Sequence, residues 1–115
     1  MQNICYDCLQ NINEFKNLFN SKCKDLKCDC CGNTKKCISF DDLISFIKGD
    51  LENEYCNFDE IGTEEWENRG DEVVSSEELL NNRYLGFENI NEELRNAIIE
   101  KMPYESWIKD LSKID

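Results

Sequence analysis

Two pairs of closely spaced cysteines are the residues in this sequence best suited to chemistry. Two residues separate Cys5 from Cys8 and Cys28 from Cys31, and Gly32 follows the second pair. A pair at this spacing can present two thiolates to one metal ion, and two pairs complete a tetrahedral four-thiolate site. Glycine suits the end of such a turn because it adopts a positive φ at little cost. The four cysteines therefore predict a metal site, and zinc best fits their softness and geometry.

The other four cysteines leave alternatives open. Cys30 lies between the ligands of the second pair and competes with them, and Cys23 is able to form a looser pair with Cys28. Cys37 and Cys56 are most simply small buried apolar residues. A second site made of Cys23, Cys30, Cys37 and Cys56 has spacings that match no recurring zinc motif. A disulfide framework and a redox-active pair are weaker alternatives still.

The 115-residue chain contains no histidine. This excludes Ser-His and Cys-His catalytic pairs and the zinc finger of two cysteines and two histidines. Four protein ligands would also leave zinc without an open position, so we predict a structural ion and no catalytic residues. The alternative is a small metal-dependent enzyme, in which the paired acids Glu64-Glu65 and Asp71-Glu72 bind Mg²⁺ or transfer protons.

Charge is distributed unevenly along the chain. The formal net charge is -12, of which residues 57–115 carry -10 and residues 1–56 carry -2. Such acidity argues against binding to nucleic acid or to an anionic membrane surface. The cysteine-rich stretch is nevertheless rich in lysine, which would offset the charge of a zinc site with four thiolates. A basic patch there is also what a nucleic-acid-binding zinc ribbon would need, and this is a second alternative.

Neither a membrane span nor a secretory signal is evident. No apolar run approaches the roughly 18 residues that a transmembrane helix needs. The N-terminus lacks the basic start and apolar core of a signal peptide, so we expect a cytoplasmic protein.

The hydrophobic pattern predicts mostly helices. A first helix is expected over residues 9–20 and a short strand over residues 36–40. Ser39 should cap a helix that runs to Tyr55. Further helices are expected from Ser75 or Ser76, from Asn89 or Asn91, and after Pro103, and residues 57–76 should form an acidic loop. The predicted fold is a single mainly α domain over residues 1–115. Its zinc-knuckle half (residues 1–56) precedes an acidic helical half (residues 57–115), with few or very short strands.

Several segments in this order resemble the HEPN/RES N-terminal domain family. They are Cys5–Cys8, Cys28–Gly32, Ile38–Leu43 leading into the helix, Ser76–Leu80, and Ile98–Met102 followed by Pro103 and Trp107. The resemblance implies a metal-stabilised accessory module of the kind fused ahead of RES-type toxins or HEPN-type ribonucleases. The catalytic residues of such proteins would lie in another domain, because HEPN ribonucleases need a histidine that this chain lacks.

These inferences lead to a functional hypothesis. We expect a non-catalytic zinc-binding interaction module of a bacterial toxin–antitoxin or phage-defence system. Its partner would be a toxin domain, an antitoxin or another defence protein, and not nucleic acid or a membrane. Trp66, between two glutamates, is either an exposed anchor for that partner or a loop residue folded onto the core. Trp107 is interpreted as a core residue.

Overall fold

A computed structural model describes residues 2–58 and 73–109. These residues form six β-strands and four α-helices, joined by short 3-10 turns and loops. The strands are β1 (Asn3–Cys5), β2 (Lys24–Lys27), β3 (Thr34–Ser39), β4 (Tyr55–Asn57), β5 (Val74–Ser75) and β6 (Ser106–Lys109). The helices are α1 (Lys16–Lys22), α2 (Phe40–Glu52), α3 (Ser76–Arg83) and α4 (Glu92–Glu100). Within these residues, no helix has the length and apolar composition needed to cross a bilayer.

The strands form two three-stranded antiparallel sheets. In the first sheet, the order is β1-β3-β2, and Cys37 of the central strand pairs with both Cys5 and Lys24. In the second sheet, the order is β4-β6-β5, and Cys56 pairs with Ile108. Strand β4 therefore lies across the boundary that composition places at residue 56.

The predicted mainly α fold with few strands is wrong, because the chain has a mixed α/β architecture with two sheets. The strands lack the alternation of apolar and polar residues by which a half-buried strand is recognised in a sequence. All four residues of β2 are exposed, so that strand shows no alternation of apolar and polar residues. Trp107 and Ile108 are both buried in β6, although they are adjacent and point to opposite faces of the sheet. The helix predicted after Pro103 is therefore a strand at these two residues.

The predicted first helix is also too long. Helix α1 begins at Lys16, after a 3-10 turn over Asn13–Phe15. Gln10 and Asn11 have φ values of 58° and 52°, in the left-handed region, and so interrupt any helix that starts near residue 9. The apolar residues of this segment are nonetheless buried.

The helix starts expected from capping residues are confirmed. Ser39 Oγ accepts a hydrogen bond from the Asp42 N–H (3.0 Å), and Ser75 Oγ accepts one from the Glu78 N–H (3.2 Å). Asn91 caps α4, since its Oδ1 accepts a hydrogen bond from the Glu93 N–H at 3.0 Å. Each cap satisfies a backbone donor that the first turn of a helix leaves unpaired.

One hydrophobic core joins the elements of both sheets. Trp107 is completely buried, as expected, and its Nε1 donates to the buried Ser76 Oγ at 2.8 Å. The fully buried residues with the largest side chains come from both halves of the chain: Ile4, Leu9, Phe15, Ile38, Leu43, Ile47, Leu51, Leu80, Tyr84, Phe87, Leu94 and Trp107.

A polar cluster links α2 to the end of α3. Asp50 accepts two hydrogen bonds from Arg83, at 3.0 and 2.9 Å, and one from the Tyr84 hydroxyl at 2.7 Å. The Arg83 guanidinium and the Tyr84 hydroxyl together hold the pKa of Asp50 below its usual value, although partial burial opposes this. The Tyr84 side chain is itself completely buried, so its hydroxyl depends on this carboxylate for a partner.

We expect Tyr84→Phe to lower the free energy of unfolding by about 1.5–3 kcal/mol at neutral pH, the range for a hydrogen bond to a charged group. Urea denaturation followed by circular dichroism would measure the change. Tyr55→Phe is the matched control, because Tyr55 lies half-buried in β4 and should change stability by less than about 0.5 kcal/mol. Equal losses in the two variants would contradict this account of the cluster.

Candidate metal centre

The first cysteine pair lies where β1 turns away from the sheet. Cys5 is the last residue of β1, and Cys8 lies in the 3-10 turn Asp7–Leu9 that follows it. The turn is closed by the Leu9 N–H, which donates to the Tyr6 carbonyl at 3.0 Å. This tight reversal brings the Cys8 side chain back towards Cys5.

The second pair lies in the connection between β2 and β3. The Cys28 N–H donates to the Asn33 carbonyl at 2.9 Å, and the Gly32 N–H donates to the Cys28 carbonyl at 2.8 Å. Gly32 has a φ of 77°, the conformation that the sequence predicts for it. The position favours glycine for this dihedral angle alone, since a Cβ would meet nothing within 4 Å.

The fold brings the four predicted ligands together. The sulfurs of Cys5, Cys8, Cys28 and Cys31 all lie within 4.8 Å of one another. The Cys5–Cys31 sulfurs are 3.8 Å apart, and the Cys8–Cys28 sulfurs are 3.7 Å apart. Four thiolates in a tetrahedron around zinc, each about 2.3 Å from the ion, would be separated by about 3.8 Å. The donor set and its spacing therefore fit a four-thiolate metal ion.

The site lies at the surface with one open side. Cys5 and Cys28 are buried, Cys8 is half-buried, and Cys31 is exposed. An ion held here would be shielded by the sheet on one side and would approach solvent beside Cys31.

Backbone donors distinguish Cys28 from the other thiols. Burial raises the pKa of Cys28, but N–H groups of Cys31, Cys5 and Cys30 outweigh it and lower that pKa to about 6. The Cys5 N–H lies 3.4 Å from Cys28 Sγ. Burial raises the pKa of Cys5 and of Cys8. Without a metal, Cys28 is therefore a thiolate at neutral pH, whereas Cys5 and Cys8 keep their protons.

Asp29 fixes the two cysteine turns relative to each other. Its Oδ2 accepts hydrogen bonds from the N–H groups of Gln2 (2.7 Å) and Asn3 (2.9 Å). Its own N–H donates to the Asn3 carbonyl at 2.9 Å. Nothing local to residues 28–32 in the sequence indicates that Asp29 has partners at the N-terminus.

Lys35 is the lysine whose positive charge lies next to the cysteine cluster, where the sequence predicts lysines that offset the negative charge of a zinc site. Lys35 Nζ lies 2.7 Å from Asp7 Oδ2 in an exposed ion pair next to the first turn. The pKa of Lys35 is raised, first by its hydrogen bond to Asp7 and by the charge of that carboxylate. Lys35 thus stays positively charged next to the sulfur cluster.

The remaining cysteines do not form a second centre. Within residues 2–58 and 73–109, the four-sulfur cluster is the one group of three or more potential ligands close enough to share an ion. No disulfide joins any of the eight cysteines, all of which lie in these ranges. Cys37 is buried against Cys5 and Cys28 and donates to the Leu26 carbonyl at 3.3 Å, while half-buried Cys30 packs against the same cluster. Trp66 and the acids Glu64-Glu65 and Asp71-Glu72 lie outside the described residues.

Comparison with known proteins identifies the family. The sequence model of the family HEPN/RES N-terminal domain 1 matches residues 21–113. The chain belongs to this family. The matched region contains Cys28 and Cys31 but starts after Cys5 and Cys8, so the family match covers half of the ligand set. No curated protein and no solved structure matches the chain significantly.

We expect Cys31→Ser and Cys37→Ser to differ sharply. Cys31→Ser removes a ligand from a site whose metal contributes on the order of 10–16 kcal/mol in peptide models, so zinc and the first sheet should both be lost. Cys37→Ser should keep about one equivalent of zinc and cost about 1 kcal/mol, because its hydroxyl can still donate to the Leu26 carbonyl. Metal analysis and thermal melts would measure both. Variants that melt alike would exclude this ligand set.

Zinc affinity should rise steeply with pH around neutrality. Zinc must displace the protons of Cys5 and Cys8, whose pKa values are raised, whereas Cys28 is already ionised above about pH 6. Release of two or more protons makes the association constant rise at least about 100-fold per pH unit. Competition with a chromogenic chelator at pH 6.5 and 7.5 would measure this slope. A pH-independent affinity would contradict binding through these thiols.

Proposed function

We propose that this chain is a non-catalytic zinc-binding module that acts by binding another protein. The observation that carries the proposal is the convergence of four cysteine sulfurs at the spacing of a tetrahedral site. Four thiolates fill the coordination of a structural zinc ion and leave no position for a water molecule or a substrate. Zinc in this site would stabilise the fold and would not generate a hydroxide nucleophile.

Two further observations favour binding over catalysis. The sequence has no histidine, the side chain that most readily transfers protons at neutral pH. The carboxylate with the most hydrogen bonds to other side chains in the described residues, Asp50, is occupied by Arg83 and Tyr84 in a link between helices. Three hydrogen bonds thus commit this carboxylate to linking α2 to the end of α3.

The family context suggests the biological setting. The family name refers to an N-terminal domain and to HEPN and RES proteins. This supports a role beside a RES-type toxin or a HEPN-type ribonuclease in a bacterial toxin–antitoxin or phage-defence system. The partner would then be the toxin domain, an antitoxin or another defence protein, encountered in the cytoplasm.

The zinc-loaded chain should show no turnover of NAD or RNA and should capture its partner. We expect it to retain the product of an adjacent toxin, antitoxin or nuclease gene in a pull-down. Cys28→Ser should lose this capture because the first sheet depends on the site. Cys23→Ser is the matched control, since Cys23 is half-buried outside the cluster and its loss should leave capture unchanged.

Catalytic activity of the isolated chain would contradict this proposal. Hydrolysis of NAD or RNA by the pure chain, removed by changing Glu64, Glu65, Asp71 and Glu72 to alanine, would replace this proposal with the enzymatic alternative. The assay would follow nicotinamide release and cleavage of a labelled RNA.

A further inference from the structure

The two outer strands of the first sheet differ in what covers their free edges. On β1, the Asn3 N–H donates to Asp29 Oδ2 and the Asn3 carbonyl accepts from the Asp29 N–H, both at 2.9 Å. The Cys5 N–H, further along, is directed at Cys28 Sγ. The second cysteine turn therefore covers the edge of β1 and leaves no room there for another strand.

The edge of β2 is open. The Cys28 N–H bonds to the Asn33 carbonyl, which continues the β2–β3 pairing by one residue. Because hydrogen-bonded and non-hydrogen-bonded pairs alternate in an antiparallel ladder, Asp25 and Lys27 direct their N–H and C=O groups away from β3. Within the described part of the chain, these four groups have no hydrogen-bond partner.

Among the described residues, the exposure of the β2 side chains agrees with an uncovered edge. All four residues of β2 are exposed, and Leu26 is one of two large apolar side chains on the exposed surface of the described residues. An unpaired strand with an exposed leucine is a template for main-chain pairing with another segment.

The stretch of chain around this edge carries an excess of positive charge, although Asp25 of β2 lies opposite Lys36 of β3. Residues 16–36 hold six lysines and two aspartates, whereas the whole chain has a net charge of -12. Lys22 and Lys35 are paired with Asp42 and Asp7, and Asp29 is held by backbone N–H groups. Within residues 2–58 and 73–109, four lysines of this stretch have no ion pair: Lys16, Lys24, Lys27 and Lys36.

We propose that β2 accepts an acidic, extended segment of a partner protein as a fourth strand of the first sheet. The backbone of Asp25 and Lys27 would supply the pairing, and the lysines would select glutamate and aspartate in the added strand. This inference rests on the proposed function, because the cysteine turn at residues 28–32 joins β2 to β3 and holds the hairpin in place.

The charges of these lysines and of the rest of the chain disfavour other binding partners at the edge of β2. A second copy of this chain would bring two lysine-rich surfaces together, and like-charge juxtaposition across an interface costs free energy. A nucleic acid would benefit from the lysines but not from the alternating backbone donors and acceptors. It would also meet the negative charge of the rest of the chain.

A labelled peptide of valine and glutamate in Val-Glu-Glu-Val repeats is the direct probe, because Lys24 and Lys27 lie on opposite faces of the sheet and the peptide presents glutamate to both faces. Fluorescence anisotropy should show that the zinc-loaded chain binds this peptide and not its lysine–valine counterpart. N-methylation of alternate peptide residues, on the edge that would pair, keeps the charge but removes main-chain donors, and should weaken binding at least tenfold. The double variant Lys24→Glu/Lys27→Glu should also lose at least tenfold. Lys48→Glu/Lys101→Glu, with the same change of charge on α2 and after α4, should lose less than twofold.

Several outcomes would overturn the inference. They are an absence of peptide binding, equal binding of the N-methylated peptide, tighter binding of a 20-nucleotide single strand, or self-association that the Lys24→Glu/Lys27→Glu change abolishes. The first would leave the lysines with a purely protective role at the edge. Zinc content measured on the same samples separates the two proposals. If a zinc-loaded chain does not bind the peptide, only this inference is contradicted. If the chain binds no zinc, the proposed metal centre is contradicted.

Discussion

The convergence of four cysteine sulfurs is the constraint on which the first sheet depends. Strand β1 has only three residues, and all four residues of β2 are exposed, so β2 buries no side chain in the core. Isolated pairs of strands this short are marginal in water. The cluster supplies what they lack, because it ties the end of β1 to the β2–β3 turn, and Asp29 adds hydrogen bonds from that turn to Gln2 and Asn3. A bound ion would turn this contact between two loops into the strongest tie in the N-terminal half.

Within the described residues, a series of polar contacts links the cysteine turns to the later elements of the chain. Strand β3 ends at Ser39, whose side chain caps α2, so the direction of the strand sets the start of the helix. Near the other end of α2, Asp50 holds Arg83 and Tyr84 of the next helical segment. That segment begins at Ser76, which receives the hydrogen bond of Trp107 from β6. A few polar contacts thus connect the thiol cluster to the second sheet through one continuous core.

What the sequence could reveal was limited to features encoded within a few residues. The cysteine spacings, the positive φ of Gly32 and the capping residues Ser39 and Asn91 are local, and each has its own physical signature. The strand predicted over residues 36–40 overlaps β3 (Thr34–Ser39), and the other described strands were missed because their identity depends on distant partners. Strand β2 shows no alternation, since its residues are all exposed, and it exists only because β3 pairs with it. The role of Asp29 could not be predicted for the same reason, because its partners lie near the start of the chain.

The arrangement of the second sheet has a consequence for the order in which the molecule forms during synthesis. Its central strand is β6, which separates β4 from β5, so neither of those strands has a neighbour until residues 106–109 have emerged. The first sheet needs nothing beyond Ser39, and its cysteines are all translated by residue 37. The ribosome therefore releases a metal-competent sheet early and leaves β4 unpaired while some fifty further residues are added, at about 5–20 residues per second. During those few seconds, the nascent chain already carries its ion site but still exposes the surface that Trp107 will cover.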